Sequence, residues 1–167
     1  MSPRNQLLII NAGGFGRTVM SLARSDSAYN TLWTIKGFLD DRPELGSTAG
    51  AVVGSPFTYD VHIGDIFLCA VGSPADRRKY AAPLLAKGAH FISLRTDVNF
   101  GERVSVGDGC IFEIRVSVGP DSIIGDFVTI MSTTILGHDV TVGSYVQIGS
   151  FVFVGGGAYI GSDVTIH

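Results

Sequence analysis

Residues 136–160 read LGHDVTVGSYVQIGSFVFVGGGAYI, and this stretch decides the fold. A large aliphatic residue returns at every sixth position, and a glycine follows it each time. The same register holds over residues 100–166 without interruption, through Phe100, Val106, Phe112, Val118, Ile124, Ile130, Leu136, Val142, Ile148, Val154, Ile160 and Ile166. Ordinary strands alternate apolar and polar residues for about four to eight positions and then stop. A period of six held this long therefore predicts a structure that itself repeats.

A β-solenoid is the structure that fits this repeat. Each group of six residues supplies one short strand and one corner, and three such groups close one triangular coil. The aliphatic residue fills the interior, and a small residue four positions later points inward where space is tight. Glycine gives the corner either a positive φ or room for a close approach, and stacked coils bury one another's open edges. A β-sandwich with irregular turns is the alternative interpretation.

Residues 1–97 follow a different pattern, in which short apolar runs alternate with helical segments. Strands are predicted at residues 7–10, 34–39, 66–71 and 90–94, and helices around residues 19–23 and over residues 75–86. Alternating strands and helices indicate βαβ units around a parallel sheet. The sequence therefore predicts two domains, an α/β domain at residues 1–97 and a solenoid domain at residues 98–167.

The composition of the 167 residues argues against several functional classes. Hydrophobic residues make up 46% and charged residues 16%, whereas disordered chains are poor in hydrophobic residues and highly charged. The net charge of -3 argues against nucleic-acid binding, which usually leaves a basic surface. No apolar run reaches the ~18 residues of a membrane span, and the polar opening MSPRNQ is not typical of a signal peptide. A cytoplasmic protein is therefore expected.

Three predicted strand ends carry residues suited to a nucleotide. The first strand is followed by NAGGFG, in which Asn11 replaces the first glycine of the dinucleotide fingerprint G-x-G-x-x-G. Such a turn presents free backbone N–H groups and a helix N-terminus to a phosphate. The next two strands end in Asp40 and Asp41 and in Gly72 and Ser73, where parallel sheets place their binding crevice. The incomplete fingerprint favours a mononucleotide over NAD; a tight turn with two solvated loops is the alternative.

His138 is the candidate catalytic residue of the solenoid. It lies two positions after Leu136 and therefore projects outward, and the adjacent Asp139 is placed to hold one ring nitrogen. One coil further along lies Gly156, whose uncovered amide is expected about one strand spacing, ~4.8 Å, from His138. A base beside a free amide serves acyl transfer, by removing a proton and by stabilising the developing oxyanion. An inert surface histidine is the alternative.

The remaining cysteines and histidines form no metal-binding or redox pattern. Cys69 and Cys110 are not spaced like a metal-binding or a redox-active pair. His62 and His90 fall in the first domain, and His167 is 29 residues from His138, which is not a multiple of the 18-residue coil. Because a zinc site needs about three converging ligands, no metal is expected.

Four short motifs together resemble a known family. They are AGGFG at residues 12–16, FLDD at 38–41, VGS at 71–73 and the hexapeptide array with GHD at 137–139. The chain thereby resembles the sialic-acid O-acetyltransferases and nucleotide-sugar N-acetyltransferases, whose best-understood members are bacterial UDP-4-amino-sugar acetyltransferases. The resemblance covers essentially the whole chain and implies a Rossmann-like domain followed by a left-handed parallel β-helix. It also implies a homotrimer, with active sites between adjacent solenoids and acetyl-CoA as the acyl donor.

The resemblance implies roles for individual residues. His138 is the general base toward the acceptor amine, Asp139 is its partner, and the amide of Gly156 faces the thioester. Gly155 and Gly157 flank that amide in the acetyl-CoA groove. The nucleotide sugar is assigned to the first domain, through Gly13, Gly14, Phe15, Gly16, Asp40, Asp41, Arg42, Gly72 and Ser73.

Three positions depart from the family pattern. Phe15 replaces the histidine of the usual G-H-G turn, Gln147 replaces a second histidine nine residues after the base, and Met131 replaces a common asparagine. We assign Met131 and Gln147 to the substrate, so these changes concern the acceptor more than the reaction. The chain also ends part-way through a coil where relatives continue, and a truncated β-helix is therefore expected.

These expectations lead to one main hypothesis and three alternatives. The main hypothesis is an acetyl-CoA-dependent acetyltransferase that acts on a nucleotide-linked amino sugar, with UDP as the nucleotide, in surface-glycan synthesis. The alternatives are O-acetylation of a sialic-acid-like sugar, a trimeric nucleotide-sugar-binding scaffold without catalysis, and an NAD-binding oxidoreductase. The oxidoreductase lacks a candidate site for hydride transfer.

Overall fold

The computed structural model describes residues 4–45 and 50–167, and the chain divides into two units. The first unit comprises the described residues up to Val71 together with Asp76–Ile92. The second unit comprises Gly72–Ala75 and Ser93–His167. These units are defined by contacts within the chain, so they do not test the boundary between functional domains, and its position between residues 97 and 98 stays a prediction.

A parallel five-stranded sheet organises the first unit. Its elements are β1 (Asn5–Ile10), α1 (Gly14–Ser25), β2 (Trp33–Leu39), a 3-10 turn (Pro43–Leu45), β3 (Val52–Gly54), β4 (Asp65–Cys69), α2 (Pro74–Ala86) and β5 (His90–Phe91). The strands lie in the order β3-β2-β1-β4-β5, and every pair is parallel. The side chains of residues 7–10 and 67–69 are fully buried, as is typical of central strands covered on both faces. The predicted α/β fold is therefore confirmed.

The strand order places a crevice at one edge of this sheet. From β1 the chain crosses to β2 on one side, and from β4 it continues to β5 on the other side. The connections that leave β1 and β4 therefore diverge at the carboxyl ends of these strands. Open α/β sheets bind their ligands at such a topological switch point.

Two strands differ from the sequence-based expectation. The pattern does not predict β3, because its three residues are too few to show a period. The single strand predicted at residues 90–94 is wrong, since β5 pairs with β4, whereas a separate strand β6 (Leu94–Arg95) pairs with β9 (Ile111–Phe112). The sequence hides this division because Phe91 and Leu94 are both buried and read as one apolar run.

Three parallel sheets form the second unit. Sheet I contains β7 (Asn99–Phe100), β10 (Ser117–Val118), β13 (Ile135–Leu136) and β16 (Phe153–Val154). Sheet II contains β8 (Ser105–Val106), β11 (Ile123–Ile124), β14 (Thr141–Val142) and β17 (Tyr159–Ile160). Sheet III contains β6, β9, β12 (Thr129–Ile130), β15 (Gln147–Ile148) and β18 (Thr165–Ile166). Successive strands visit the three sheets in turn, and the chain forms the predicted left-handed parallel β-helix.

The six-residue repeat builds the core of this helix. From β7 onward, stacked residues are 18 positions apart, as in the pairing of Ser117 with Ile135. The apolar residues Phe112, Ile130 and Ile148 stack in successive coils of sheet III, and all three are fully buried. Each coil therefore covers the apolar interior of the next one.

The glycines that follow the aliphatic residues allow close approach rather than a positive φ. A Cβ at Gly119 would lie 2.5 Å from the carbonyl carbon of Gly137, and one at Gly137 would lie 2.6 Å from the nitrogen of Gly156. The positive φ occurs two residues after this glycine position, mostly at residues that are not glycine. These residues are Asp97, Arg103, Gly109, Arg115, Asp121, Phe127, Thr133, Asp139, Tyr145, Phe151, Gly157 and Asp163.

Candidate active site

His138 and Asp139 form a close pair at one corner of the solenoid. They lie between β13 and β14, in the turn that joins sheet I to sheet II, which we call the histidine corner (residues 137–140 and their stacked equivalents). The Nδ1 of His138 lies 2.6 Å from Oδ2 of Asp139, and both side chains are exposed, at 69% and 64%. Because the carboxylate accepts a hydrogen bond from Nδ1, the opposite nitrogen Nε2 is available as a base.

Gly156 lies directly against the imidazole of His138. A Cβ at position 156 would be 2.7 Å from Nε2 and 2.9 Å from Cε1, so any larger residue would displace the ring. The N–H of Gly157 donates to the carbonyl of His138 at 2.8 Å and joins the two coils at this point. Among the described residues, the N–H of Gly156 has no hydrogen-bond acceptor. The predicted combination of a base and a free amide is therefore present in the geometry.

A charged pair lies one coil before Asp139. Asp121 accepts hydrogen bonds from Nε and Nη2 of Arg103, at 2.6 and 2.8 Å. These bonds lower the pKa of Asp121 and raise the pKa of Arg103. The second carboxylate of this corner is thus paired with a cation, whereas Asp139 is bonded to His138.

Met131 and Gln147 do not join His138 within one chain. Gln147 is a buried residue of β15 in sheet III, and Met131 directly follows β12 of the same sheet. In a three-sided coil, the corner between sheets I and II lies opposite sheet III. A single chain therefore holds the catalytic candidates and these two acceptor-binding candidates on different sides of the solenoid.

The glycine turn of the first unit is built around Asn11. This residue has a φ of 80°, its Oδ1 accepts from the N–H of Gly13 at 3.0 Å, and its Nδ2 donates to the carbonyl of Ala70 at 2.7 Å. Asn11 thus adopts the positive φ that the missing first glycine would otherwise supply, and its side chain also links the end of β1 to the end of β4. Gly16 is required for packing, because a Cβ there would overlap the carbonyl oxygen of Asn11.

The start of α1 is suited to an anion. Gly13 precedes the helix without a side-chain cap, and the first turn contains no acidic residue. The N–H groups of Gly14, Phe15 and Gly16 have no acceptor among the described residues. Unpaired N–H groups at a helix N-terminus favour phosphate or carboxylate.

Asp40 is held by its neighbours at the end of β2. Its Oδ2 accepts from the N–H of Ala12 at 2.7 Å, and its two oxygens also accept from Nε and Nη2 of Arg42 at 2.9 and 3.0 Å. Burial by itself raises the pKa of Asp40, but these hydrogen bonds outweigh it and hold the pKa below its ordinary value. Asp41 is exposed and accepts a hydrogen bond from Ser55.

A cavity of about 400 Å³ opens beside these groups. It is lined by Asn11, Leu39, Asp40, Arg42, Val71, Asp76 and Tyr80. Asp76 and Tyr80 are four residues apart on α2, and sequence reasoning missed them because nothing in a helical pattern marks a cavity wall. Gly72 and Ser73 belong to the second unit and are not among the lining residues.

Two other kinds of feature are absent from residues 4–45 and 50–167. No group of three or more His, Cys, Asp or Glu side chains is arranged to hold a metal ion there. No helix in these ranges combines the length and the apolar character needed to cross a membrane.

Two family models match the chain. Residues 6–84 match the PglD N-terminal domain, and residues 121–156 match the bacterial transferase hexapeptide (six repeats). The first match contains the glycine turn and the second contains His138, Asp139 and Gly156. A comparison with curated proteins finds no match.

Several solved structures share the fold. The acetyltransferase domain of PglB from Neisseria gonorrhoeae, in complex with acetyl coenzyme A, is 21% identical, with a TM-score of 0.78 over 98% of this chain and 96% of that chain. WeeI from Acinetobacter baumannii is 21% identical, with a TM-score of 0.79 over 94% of this chain and 76% of that one. A histidine-to-asparagine variant of perosamine N-acetyltransferase from Caulobacter crescentus, in complex with CoA and GDP-perosamine, is 18% identical, with a TM-score of 0.52 over 96% and 90%. The chain therefore combines a segment that matches the PglD N-terminal domain with a segment that matches the transferase hexapeptide repeats, and it shares its fold with these solved structures.

Proposed function

We propose that this protein transfers the acetyl group of acetyl-CoA to the amine of a nucleotide-linked sugar, with His138 as the general base. The observation that carries the proposal is the arrangement at the histidine corner. Asp139 holds Nδ1 of His138, and Nε2 lies against Gly156, whose N–H is free. Among the relatives, PglB binds acetyl-CoA and perosamine N-acetyltransferase binds CoA and GDP-perosamine, which supports this donor and this class of acceptor.

The chemical step uses these three residues together. The acceptor amine attacks the thioester carbonyl carbon, so that a C–N bond forms while the Nε2 of His138 takes one amine proton. Asp139 stabilises the resulting imidazolium, and the N–H of Gly156 donates to the oxyanion. The C–S bond then breaks, and His138 returns the proton to the leaving thiolate. The products are an N-acetyl sugar and free CoA.

The first unit supplies the proposed site for the nucleotide, which we take to be UDP. The free N–H groups at the start of α1 favour a phosphate, and Arg42 adds a positive charge that Asp40 and Asn11 hold in place. The aromatic ring of Tyr80 lines the cavity and suits stacking against the uracil ring of the nucleotide. The product would serve surface-glycan synthesis in the cytoplasm.

We further propose that the protein is a homotrimer. Sheet I exposes Ile135 and Phe153, and the neighbouring corner exposes Phe151, at 46%, 73% and 79%. A contiguous apolar surface of this kind is typical of a protein interface. A second solenoid packed near the histidine corner would also bring Met131 and Gln147 of another chain within reach of the acceptor. Light scattering should give three times the mass of one chain, and a monomer would contradict this assembly.

The test is acetyl transfer by the wild-type chain to a panel of UDP-linked sugars. Each amino sugar is paired with the hydroxy sugar of the same configuration, and the product is identified by mass spectrometry. We expect an acetylated product from an amino sugar only, together with one equivalent of CoA. Acetylation of the hydroxy sugar alone would contradict N-acetyl transfer, and binding of UDP without any product would favour a non-catalytic scaffold.

The two cysteines do not interfere with a thiol assay. Burial raises the pKa of Cys69 to about 12 and the pKa of Cys110 to about 11. Both thiols are therefore protonated and covered at neutral pH, and a thiol reagent should detect released CoA without reacting with the folded enzyme. Rapid modification of the native protein by the reagent alone would contradict this expectation.

A further inference from the structure

Ser122 has a buried hydroxyl inside the solenoid, at the histidine corner and one coil before His138 and Asp139. It occupies the inward position that is valine in most hexads, such as Val116, Val128 and Val140. Its exposed fraction is 0%, so its polar group must be satisfied within the protein.

The hydroxyl of Ser122 bridges the two peptide groups that flank His138 and Asp139. Its Oγ donates to the carbonyl of Gly137 at 3.2 Å and accepts from the N–H of Val140 at 3.2 Å. Both ends of the turn are thereby tied to one interior atom. The carbonyl of Pro120 accepts from the N–H of Asp139 at 2.9 Å and fixes the middle of the same turn.

This internal support matters because the side chains of the pair are not held by packing. His138 and Asp139 are both about two-thirds exposed, and Asp139 has a φ of 55°, which L residues adopt reluctantly. The 2.6 Å contact between Nδ1 and Oδ2 therefore depends on where the backbone of the turn places the two Cα atoms.

We propose that Ser122 is a positioning residue for the His138–Asp139 pair. It does not touch the substrates; it fixes the turn from inside, so that Asp139 stays bonded to Nδ1 and Nε2 stays against Gly156. The inference rests on the proposed function for its effect on rate, whereas its effect on the imidazole is independent of any reaction. Small displacements of a catalytic group cost up to about 100-fold in rate, which sets the scale of the expected effect.

The same pair of hydrogen bonds from a buried hydroxyl occurs at another turn and provides a matched control. Thr134 is also fully buried, donates to the carbonyl of Gly149 at 2.6 Å and accepts from the N–H of Val152 at 3.2 Å. The turn that it braces holds Ser150 and Phe151, not the candidate site. Thr134→Ala therefore removes an equivalent interior hydroxyl away from His138.

The kinetic test compares Ser122→Ala, Ser122→Thr and Thr134→Ala. We expect Ser122→Ala to lower kcat about tenfold or more with KM values changed by less than about threefold, because positioning and not binding is lost. Ser122→Thr keeps the hydroxyl and should retain kcat within about threefold, whereas Thr134→Ala should lower the Tm without lowering kcat. Equal losses of kcat in the two alanine variants would overturn the proposal.

A second variant keeps the test valid if Ser122→Ala does not fold. Ser122→Cys follows Cys110, which fills the same kind of position and contacts the carbonyl of Gly125 at 3.1 Å. Because a thiol is a weaker hydrogen-bond donor than a hydroxyl, kcat should fall between the values of the wild type and the alanine variant. A wild-type kcat for Ser122→Cys would overturn the proposal.

An NMR measurement of the imidazole nitrogens gives a readout that does not need activity. The chain has four histidines, and His138→Ala identifies the signals of His138. In Ser122→Ala the Nδ1 chemical shift of His138 should move toward the value measured in Asp139→Asn, because the hydrogen bond to Asp139 is weakened, while Thr134→Ala should leave it unchanged. An unmoved Nδ1 signal in Ser122→Ala would overturn the positioning role. A moved signal in an enzyme without acetyl transfer would instead contradict the proposed function alone.

Discussion

Two corners of the solenoid use the same hexapeptide repeat in different ways. At the corner between sheets II and III, which we call the serine corner, the N–H of Asp126 donates to Oγ of Ser144 at 3.0 Å. The N–H of Ser144 donates in turn to Oγ of Ser162 at 3.1 Å. Each coil of the serine corner is therefore tied to the next by a side-chain oxygen.

The histidine corner lacks this series of hydrogen bonds. Gly156 stands where a capping side chain would be, and the N–H of His138 has no acceptor among the described residues. Without a side chain at position 156, the imidazole of His138 lies over the backbone of the next coil. The comparison shows that a corner with a side-chain acceptor in each coil stabilises the stack, whereas a corner without that acceptor leaves a base and a free amide for chemistry.

The largest effect is expected from filling the space beside the imidazole. In Gly156→Ala the new Cβ would lie 2.7 Å from Nε2 of His138, so the exposed ring must move away from the amide. We expect kcat to fall roughly 100-fold while the fold persists, because the ring itself is free to move. Steady-state kinetics and circular dichroism measure the two effects.

Gly161→Ala is the control for this substitution. A Cβ at Gly161 meets no atom within 4 Å, so the variant should keep the wild-type kcat. If Gly156→Ala retained full activity, the imidazole would not need its place beside Gly156, and the distinction between the corners would fail.

A smaller effect is expected at the serine corner, and it concerns stability instead of activity. Ser144→Ala removes the acceptor of the Asp126 N–H and should lower the free energy of unfolding by about 1 kcal/mol. Chemical denaturation measures this loss, and kcat should stay within about twofold of the wild type. A large loss of kcat in Ser144→Ala would show that the serine corner also takes part in the reaction.

The smallest effect is the pH dependence of the charged pair at the histidine corner. Arg103 lowers the pKa of Asp121 below its ordinary value of 3.8, so the pair stabilises the fold above that pH. The contribution is lost as the pH falls below 3.8 through the lower pKa of the folded state. The Tm difference between the wild type and Arg103→Gln should therefore vanish in acid.

The serine corner again supplies the control for this measurement. The hydroxyl groups of Ser144 and Ser162 do not titrate, so the Tm offset of Ser144→Ala should stay constant over the same pH range. A Tm offset for Arg103→Gln that did not change in acid would mean that the ion pair contributes nothing to stability.

The sequence predicted the solenoid because its period is set by packing alone. An aliphatic residue at every sixth position can only be buried repeatedly if strands stack at that interval, and Val118 beside Leu136 does so. The same regularity placed Gly156 one coil beyond His138, since stacking requires no tertiary detail. The role of the glycines could not be chosen in advance, because a positive φ and a close approach leave the same signature.

Other parts of the candidate sites depend on contacts that no pattern records. Tyr80 of α2 lines the cavity together with Asn11, which follows β1, and Val71, which follows β4, and this meeting of distant residues leaves no trace in the sequence. The hydrogen bonds of Ser122 to the turn of His138 and Asp139 are visible only in the folded structure, since a serine at an inward position resembles any other small residue in the sequence. The engagement of Asp40 by Arg42 likewise follows from the turn after β2, where two neighbouring side chains fold back on each other.

The most direct test of the histidine corner is acceptor-dependent release of CoA, measured side by side for the wild type, His138→Ala and Ser144→Ala. Removal of a general base costs about 10²–10⁴ in rate, so His138→Ala should lose that factor while Ser144→Ala keeps the wild-type rate. All three proteins should show the same circular dichroism spectrum, which excludes unfolding as the cause. Wild-type turnover by His138→Ala would contradict the assignment of this corner as the active site.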